Sequence, residues 1–345
     1  MDYRQLFIRK NNSLKEAMRQ MGETAKKILF IVEEDRLIAS LTDGDIRRYL
    51  LAGGQLDDAV DAAGNHKPII AHSRESARNL LKAKQCIAVP VINTDGLIKD
   101  VILESEENLL PTVQLQIPVA IMAGGKGTRL EPYTKILPKP LIPVGDLPII
   151  EHIMNQFQKY GCNDFHVIVN YKKQLIKAYF AENERRYNVH WYDEDEPLGT
   201  GGGLSLLCEK VNSTFFLTNC DVILLSDYDD ILRFHRDHGN VVTMVCAYKN
   251  TTIPYGVIEI GKNGEIISMK EKPELSHLTN TGIYVVEPDV LADIEKNVEM
   301  SFPDIIEKQR KKGRRVAAYP VCEHDWLDMG QLTEFENMRR RLYGE

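Results

Sequence analysis

The spacing of hydrophobic positions changes near residue 119. Before that point the same order occurs twice: a serine, a helix-like stretch, and two short apolar strands around a polar turn. The predicted helices are 14–22 and 74–83, and the predicted strands are 28–33 with 37–41 and 87–92 with 97–102. Identical residues recur at an offset of 60, as in Ser13 and Ser73. A unit this short cannot bury its own apolar faces, so we expect the two copies to pack together.

After residue 119, strand and helix patterns alternate. The predicted strands are 119–123, 165–169, 215–219, 241–248 and 281–286, with helices at 148–160, 172–182, 202–209 and 227–238. This alternation predicts an α/β domain with a mostly parallel sheet and flanking helices. Residues 111–118 are bracketed by prolines and lack a helical period, which indicates a linker. We expect an α+β repeat pair over 1–110 (copies of about 1–60 and 61–110), a linker over 111–118 and the α/β domain over 119–345.

Charge and cysteine content narrow the class of protein. The 345 residues include 43 Lys and Arg against 50 Asp and Glu, a formal net charge of −7. This balance argues against a nucleic-acid partner, although a few cations can still dominate one cleft. No apolar run approaches the ~18 residues of a membrane span. The six cysteines form no C-x-x-C pair, which predicts reduced thiols in a cytoplasmic protein without a membrane partner.

The first strand of the α/β domain runs directly into a glycine-rich loop, GGKGTRL at 124–130. Backbone N–H groups of such loops bind phosphate oxygens, and glycine permits the close approach. A dinucleotide-binding fingerprint would require glycine in place of Leu130. A Walker loop would require Ser or Thr directly after Lys126, where Gly127 stands. The loop alone therefore predicts phosphate binding without identifying the ligand.

The longer stretch GGKGTRLEPYTKILPKPLIPVG resembles the signature of sugar-1-phosphate nucleotidylyltransferases. These enzymes form NDP-sugars from an NTP and a sugar 1-phosphate and release pyrophosphate. Further matching segments follow in the family's order: LGTGGG (198–203), LTNCD (217–221), EKP (271–273), NTGIY (280–284) and WLDMG (326–330). The resemblance covers residues 118 to about 335 and implies a Rossmann-like fold.

The resemblance also implies a role for each matched residue. The catalytic cations would be Arg129 on the leaving pyrophosphate, and Lys139 and Lys272 on the α-phosphate and the sugar phosphate. The nucleotide-binding residues would be Ala123, Gly124, Gly125, Lys126, Gly127, Thr128, Gly199 and Thr200. The sugar-binding residues would be Gly201, Glu271, Asn280 and Thr281. Asp221 and Asp328 would hold the cofactor Mg²⁺.

The reaction chemistry agrees with these residue types. A sugar 1-phosphate is already an anion at neutral pH, so no general base is required. The enzyme has to bring two polyanions together and align the attacking oxygen with the α-phosphorus. That task calls for charge neutralisation and positioning rather than for a covalent nucleophile.

The N-terminal repeats resemble a pair of CBS domains, through LTDGDIRR at 41–48 of the first copy. In that family a Thr/Ser-x-x-Asp element often holds the ribose of an adenine nucleotide, which here implies Thr42 and Asp45. The second copy has Ile102 and Ser105 in the equivalent places. The pair therefore carries at most one intact adenine-nucleotide site, or it is a packing module without a ligand, and we expect a homo-oligomer.

Several functional alternatives remain open. The run EPLGTGG at 196–202 looks more like guanylyltransferases of the mannose or heptose type, and CBS pairs ahead of this domain resemble guanylyltransferases that use glucosamine 1-phosphate in legionaminic acid-type pathways. We expect GTP and glucosamine 1-phosphate; the alternatives are dTTP or UTP, and mannose or heptose 1-phosphate. Two other classes are a nucleotide-sensing CBS protein with an inactive transferase domain, and a glycosyltransferase using the D-x-D string at 193–195. We interpret that string as a solvated loop.

Overall fold

The chain forms two compact units, residues 1–111 and 112–345. The computed structural model describes residues 2–84, 86–104, 113–181 and 187–343. Within these ranges, no helix has both the length and the apolar character needed to cross a membrane.

The N-terminal unit contains the two predicted repeats. Its elements are β1 (Phe7–Arg9), α1 (Leu14–Thr24), β2 (Ile28–Glu33), β3 (Arg36–Thr42), α2 (Asp43–Leu51), α3 (Arg74–Lys84), β4 (Ala88–Ile92) and β5 (Ile98–Leu103). The strand pairs β2–β3 and β4–β5 are antiparallel hairpins. Phe30 of the first hairpin and Ile98 of the second belong to one buried cluster, and the Ile98 N–H donates to the Asp35 carbonyl at 3.1 Å. The two copies therefore pack together, as expected.

The described residues of the larger unit form thirteen strands and seven α-helices. Its first half comprises β6 (Val119–Ala123), α4 (Tyr133–Ile136), β7 (Pro143–Val144), β8 (Leu147–Pro148), α5 (Ile149–Gln158), β9 (Asp164–Val169), α6 (Lys173–Ala181), β10 (Asn188–Asp193) and α7 (Gly199–Gly202). Its second half comprises β11 (Phe215–Asn219), β12 (Val222–Leu224), α8 (Tyr228–Asp237), β13 (Val242–Thr252), β14 (Val257–Ile260), β15 (Ile266–Lys270), β16 (Glu274–Val286), α9 (Phe302–Lys311), β17 (Val316–Cys322), β18 (Trp326–Asp328) and α10 (Leu332–Tyr343).

The central sheet has seven strands in the order β10-β9-β6-β11-β16-β13-β17. Four of its neighbouring pairs are parallel, and β16 runs antiparallel to both β11 and β13. Strand β6 is buried on both faces: Ile121 belongs to the core cluster on one side and Met122 to the cluster on the other. A continuous apolar strand in the middle of a parallel sheet is the expected consequence. The prediction of a mixed, mostly parallel α/β sheet is confirmed.

The parallel strands determine where the functional residues lie. Because β6, β9, β10 and β11 run in one direction, the loops that follow them meet at one edge of the sheet. The glycine-rich loop follows β6, Asn170 follows β9, Glu194 follows β10, and Asp221 follows β11 by two residues. We call this edge the loop edge.

A two-stranded hairpin forms a separate small sheet beside the seven-stranded one. Strands β14 and β15 pair with each other, and their large apolar side chains, including Ile260 and Ile266, are exposed. The hairpin leads into β16, whose first half is exposed and whose second half is buried. The sequence pattern did not predict this hairpin.

Candidate active site

A cleft of about 390 Å³ lies at the loop edge. It is lined by Gly127, Thr128, Arg129, Leu130, Lys139, Asn219, Asp221, Val222, Asn280, Thr281, Gly282, Trp326, Asp328 and Gly330. Most of these residues come from four separate matched segments. The fold thus brings together eight of the residues predicted for the site, among them the two aspartates predicted to hold Mg²⁺.

The two aspartates are brought together by a small sheet. Strand β12 pairs antiparallel with β18, and Val222 lies opposite Asp328 in the register. The Met329 N–H donates to the Asp221 carbonyl at 2.9 Å, and the Gly330 N–H donates to Asp328 Oδ1 at 2.8 Å. Main-chain hydrogen bonds therefore fix the backbone of Asp221 and the carboxylate of Asp328.

Lys139 forms an ion pair with Asp221, and each of the two side chains is only 15% exposed. Burial alone would lower the pKa of Lys139, but Asp221 and the neighbouring acids raise the pKa above its usual value. Burial, followed by the charge of Asp221, raises the pKa of Asp328 to about 6. The site is thus a partly desolvated group of two carboxylates and one ammonium.

This donor set fits Mg²⁺. Mg²⁺ is bound in proteins by one or two carboxylates together with substrate phosphates and water, and both aspartates offer hard oxygen ligands on one wall of the cleft. Burial and then repulsion from Asp221 raise the pKa of Asp328, and a divalent cation would offset both effects. Neighbouring Cys220 is buried, which raises its pKa to about 12, so its thiol is not a nucleophile at neutral pH.

The glycine-rich loop reaches the cleft at its far end. Gly127 has a φ of +66°, and a Cβ there would lie 3.2 Å from the Cβ of Lys139. Glycine is therefore required for the loop to turn against the lysine. Arg129 is exposed on the cleft wall, whereas Lys126, Gly124 and the buried Ala123 lie outside the cleft lining.

Lys172 follows β9 and contacts α4, the short helix after this loop, and the sequence reasoning missed it. Its Nζ donates to the main-chain carbonyls of Thr134 at 3.3 Å, Lys135 at 2.7 Å and Ile136 at 2.9 Å. Thr134 in turn donates from Oγ1 to the Gly127 carbonyl at 3.0 Å. No sequence spacing indicated this contact, because the strand pairing of β9 with β6 creates it.

Glu194 is the second residue that the sequence reasoning missed. The interpretation of residues 193–195 as a solvated run is wrong for this residue, which is only 4% exposed. Its carboxylate lies against Gly124 and Gly203, where a Cβ on either glycine would collide with it. Burial raises the pKa of Glu194 to about 7, partly offset by a hydrogen bond from the Leu198 backbone.

One oxygen of this carboxylate is unsatisfied. Among the described residues, Glu194 Oε1 has no hydrogen-bond partner although it is buried. A buried carboxylate oxygen without a donor is costly, so such a group calls for an explanation. Here Oε1 faces Gly203 of the second glycine-rich segment, and Oε2 faces Gly124 of the first.

The second glycine-rich loop packs against the start of α9. The Gly201 N–H donates to the Met300 carbonyl at 2.8 Å, and Thr200 Oγ1 accepts the Phe302 N–H at 3.1 Å. Gly199, with a φ of +73°, faces the Met300 carbonyl. These three predicted ligand residues are therefore tied to the protein backbone and lie outside the cleft lining.

The predicted sugar-binding residues divide into two groups. Asn280 and Thr281 line the cleft, and Thr281 Oγ1 donates to the Val245 carbonyl at 2.8 Å, which fixes the start of the buried part of β16. Glu271 and Lys272 are exposed at the end of the β14–β15 hairpin and outside the cleft lining. The structure does not bring Lys272 together with Lys139.

Thr42 and Asp45 of the N-terminal unit form the capping box of α2. Thr42 Oγ1 and the Thr42 N–H donate to Asp45 Oδ2 at 2.6 and 2.8 Å, and the Asp45 N–H donates to Thr42 Oγ1 at 3.2 Å. A helix cap thus accounts for both residue types at this spacing without a ligand. In the second copy Ile102 is half-buried, and Ser105 lies outside the described residues.

Comparison with known proteins gives the family. The nucleotidyl transferase family matches residues 119–343, and the CBS domain family matches residues 1–52. The mannose-1-phosphate guanyltransferase of Pichia angusta is 35% identical over 228 residues, and that of Saccharomyces cerevisiae is 32% identical over 228 residues. The matches cover 62% of this chain, and 61% and 62% of those two proteins.

A solved structure has a similar fold. HddC from Yersinia pseudotuberculosis is 22% identical, with a TM-score of 0.53, over 66% of this chain and 99% of that one.

Proposed function

This chain belongs to the nucleotidyl transferase family and has a CBS domain at its N-terminus, and we propose that it transfers a guanylyl group from GTP to a sugar 1-phosphate. The products are a GDP-sugar and pyrophosphate. A phosphate oxygen of the sugar 1-phosphate forms a bond to the α-phosphorus, and the bond from that phosphorus to the oxygen shared with the β-phosphate breaks. The electron pair leaves with pyrophosphate, so no external oxidant, reductant or base is needed.

The cations of the cleft supply the charge neutralisation. Arg129, on the exposed wall, binds the leaving pyrophosphate, on which negative charge increases in the transition state. Lys139, between the two aspartates and the glycine loop, binds the α-phosphate. Asp221 and Asp328 hold Mg²⁺, which when bound neutralises phosphate charge and orients the phosphates. Lys272 reaches the sugar phosphate only if the hairpin end moves toward the cleft.

The base preference depends on Glu194. Guanine presents two adjacent N–H donors, N1–H and the N2 amino group, and a carboxylate offers two acceptors. Uracil and thymine offer one N–H next to a carbonyl oxygen, which a carboxylate would repel. The buried, unsatisfied Glu194 Oε1, which faces Gly203 of the second glycine-rich loop, is the single observation that carries the choice of guanine. The names of the two fungal relatives agree with this choice.

Three sugar 1-phosphates are candidates for the second substrate. The fungal relatives are named for mannose 1-phosphate, which makes it the first sugar to test. Glucosamine 1-phosphate, expected from the combination of CBS pair and transferase, remains a prediction, as does heptose 1-phosphate. Asn280 and Thr281 on the cleft wall are the proposed contacts to the sugar hydroxyls.

The adenine-nucleotide site and the homo-oligomer remain predictions. Because Thr42 and Asp45 already satisfy each other, a ribose would have to replace part of the capping box of α2. If the CBS pair is a packing module without a ligand, the hydrogen bonds of this capping box stay intact.

The test is pyrophosphate release from GTP, ATP, UTP and dTTP, each combined with mannose, glucosamine and heptose 1-phosphates, in the presence of Mg²⁺. We expect GTP to exceed UTP and dTTP in kcat/KM by about 10²-fold or more, since a buried polar group discriminates strongly against a base that leaves it unpaired. A preference for UTP or dTTP would refute the role of Glu194. Absence of pyrophosphate release with every pair would refute the transferase activity.

A further inference from the structure

A cluster of metal-ligand side chains lies at the opposite edge of the sheet from the cleft. Asp164 begins β9, and His166 and His190 form a cross-strand pair in the register of β9 and β10. One ligand atom from each of the three side chains lies within 4.8 Å of the other two. Asp164 is five residues before the end of β9, which places the cluster about 17 Å from the loop edge.

The Asp164 carboxylate contacts the imidazoles of both His166 and His190. His190 Nε2 lies 2.9 Å from Asp164 Oδ1, and His166 Nε2 lies 3.3 Å from Asp164 Oδ2. These separations are similar to those between ligand atoms that share one ion at bond lengths of about 2.0–2.2 Å. Asn188 Nδ2 also donates to Asp164 Oδ1, at 3.0 Å. The same atoms that bond to one another here can therefore surround one ion after small movements.

His166 has the second contact that metal-binding histidines usually have. Its Nδ1 is 2.9 Å from the Tyr192 hydroxyl, so Nε2 is directed toward Asp164. A hydrogen bond on the far nitrogen fixes the tautomer and the ring orientation of a ligating imidazole. His166 is buried and held, whereas His190 is exposed on the edge strand.

Binding of one ion by both histidines requires one ring to change its orientation. The rings of His166 and His190 are stacked, with centroids 4.9 Å apart and planes inclined by 23°. Two nearly parallel rings cannot both direct a lone pair at one ion, so one ring must turn about its χ2 bond. The exposed ring of His190 can turn, and His166 with Asp164 then forms the fixed half of the site.

We propose that Asp164, His166 and His190 bind a divalent transition-metal ion of the zinc type. Two imidazoles and one carboxylate favour Zn²⁺ over Mg²⁺ or Ca²⁺, which prefer oxygen ligands, and the exposed side leaves room for water as a fourth ligand. The ion links the edge strand β10 to β9. The proposal is independent of the transferase activity, because no residue of the cleft takes part in it.

The experiment is a calorimetric titration of the full chain with Zn²⁺ in the presence of excess Mg²⁺, which occupies the aspartates of the cleft. The test variants are H190A and D164N, and the matched control is H238A, which removes another exposed histidine outside the cluster. We expect one zinc site per chain, at least about tenfold weaker binding in both test variants, and unchanged binding in H238A.

A second measurement distinguishes this site from the cysteines. Co²⁺ bound to nitrogen and oxygen ligands lacks the thiolate-to-metal charge-transfer absorption, and we expect a spectrum without it that is lost in H190A. Equal zinc binding in wild type and H190A would overturn the proposal, as would a cobalt spectrum with thiolate absorption. No zinc binding by the wild type would overturn it as well. Pyrophosphate release is expected to be unchanged in H190A, so failure here does not affect the proposed transferase activity.

Discussion

Replacement of Glu194 by glutamine tests how the site selects its base. The Leu198 backbone N–H occupies one acceptor of the side chain, and Oε1 is left without a partner. In E194Q the amide oxygen stays with the Leu198 N–H, and the amide NH₂ takes the position of the free oxygen. Guanine then loses the hydrogen bond to Oε1, which as a bond to a charged acceptor is worth about 1.5–3 kcal/mol. At about 1.4 kcal/mol per decade, kcat/KM for GTP should fall by about 10- to 10²-fold.

UTP should respond differently, because the new NH₂ can donate to a uracil carbonyl. We expect its kcat/KM to stay at or above the wild-type value, so the preference for GTP over UTP falls by about tenfold or more. The assay is pyrophosphate release with each NTP at saturating sugar 1-phosphate. The matched control is E196Q, the same change at an exposed neighbour, which should leave both values unchanged. Wild-type GTP kinetics and base preference in E194Q would refute the reasoning.

The E194Q variant also tests a predicted pH dependence of the stability of the fold. Burial raises the pKa of Glu194 from 4.5 to about 7, so the folded state keeps a proton that the unfolded chain releases. The proton on Glu194 therefore adds to the free energy of unfolding. This contribution is fully present below about pH 4.5 and is lost as the pH rises through 7, for a total of about 3 kcal/mol. Glutamine has no proton to lose, so Tm of E194Q relative to wild type should be higher at pH 8 than at pH 5. A pH-independent difference in Tm, or the same trend in E196Q, would contradict this assignment.

Further predictions concern the cleft, Lys172 and the N-terminal unit. Arg129→Ala should lower kcat/KM by about 10²-fold at unchanged Tm, and near-wild-type turnover would refute its role. Asp328→Asn should abolish Mg²⁺-dependent turnover, as should EDTA on the wild type; turnover that persists in EDTA would exclude the metal site. Lys172→Met should lower kcat about tenfold, with recovery in Lys172→Arg, because the carbonyls of α4 lose their donor; equal losses in both variants would contradict this. If the CBS pair binds an adenine nucleotide, calorimetry with AMP, ADP and ATP should detect one site per chain that Asp45→Ala removes; two equal sites would contradict the asymmetry of the repeats, and no binding would favour the packing module without a ligand.

Local sequence pattern predicted the regular part of the fold well. Strands β6 and β11 were predicted with the observed bounds, because a continuous apolar run between glycine and polar residues marks a strand buried on both faces. The hairpins of the repeats were also predicted, since their polar turns interrupt apolar strands. The cleft residues Arg129, Lys139 and Asp221 were predicted from the matched segments rather than from periodicity.

The missed features depend on contacts between distant segments. Glu194 stands among charged neighbours, so its sequence context indicates solvent, and only the end of β10 against two glycines buries it. Lys172 has no sequence signature, because its partners lie about 37 residues away in the chain. The pairing of His166 with His190 depends on the register of β9 and β10, which a hydrophobic pattern on an edge strand specifies weakly.

The pairing of β12 with β18 also determines when during synthesis the site is assembled. Asp221 and Asp328 are 107 residues apart in the sequence. At about 5–20 residues per second, roughly 5–20 s of translation separate their emergence. During that interval Lys139 can already neutralise Asp221, because both precede the missing strand, but the second carboxylate is absent. A nascent chain therefore holds its first aspartate as an ion pair, and the cleft gains its paired carboxylates only after β18 has joined β12.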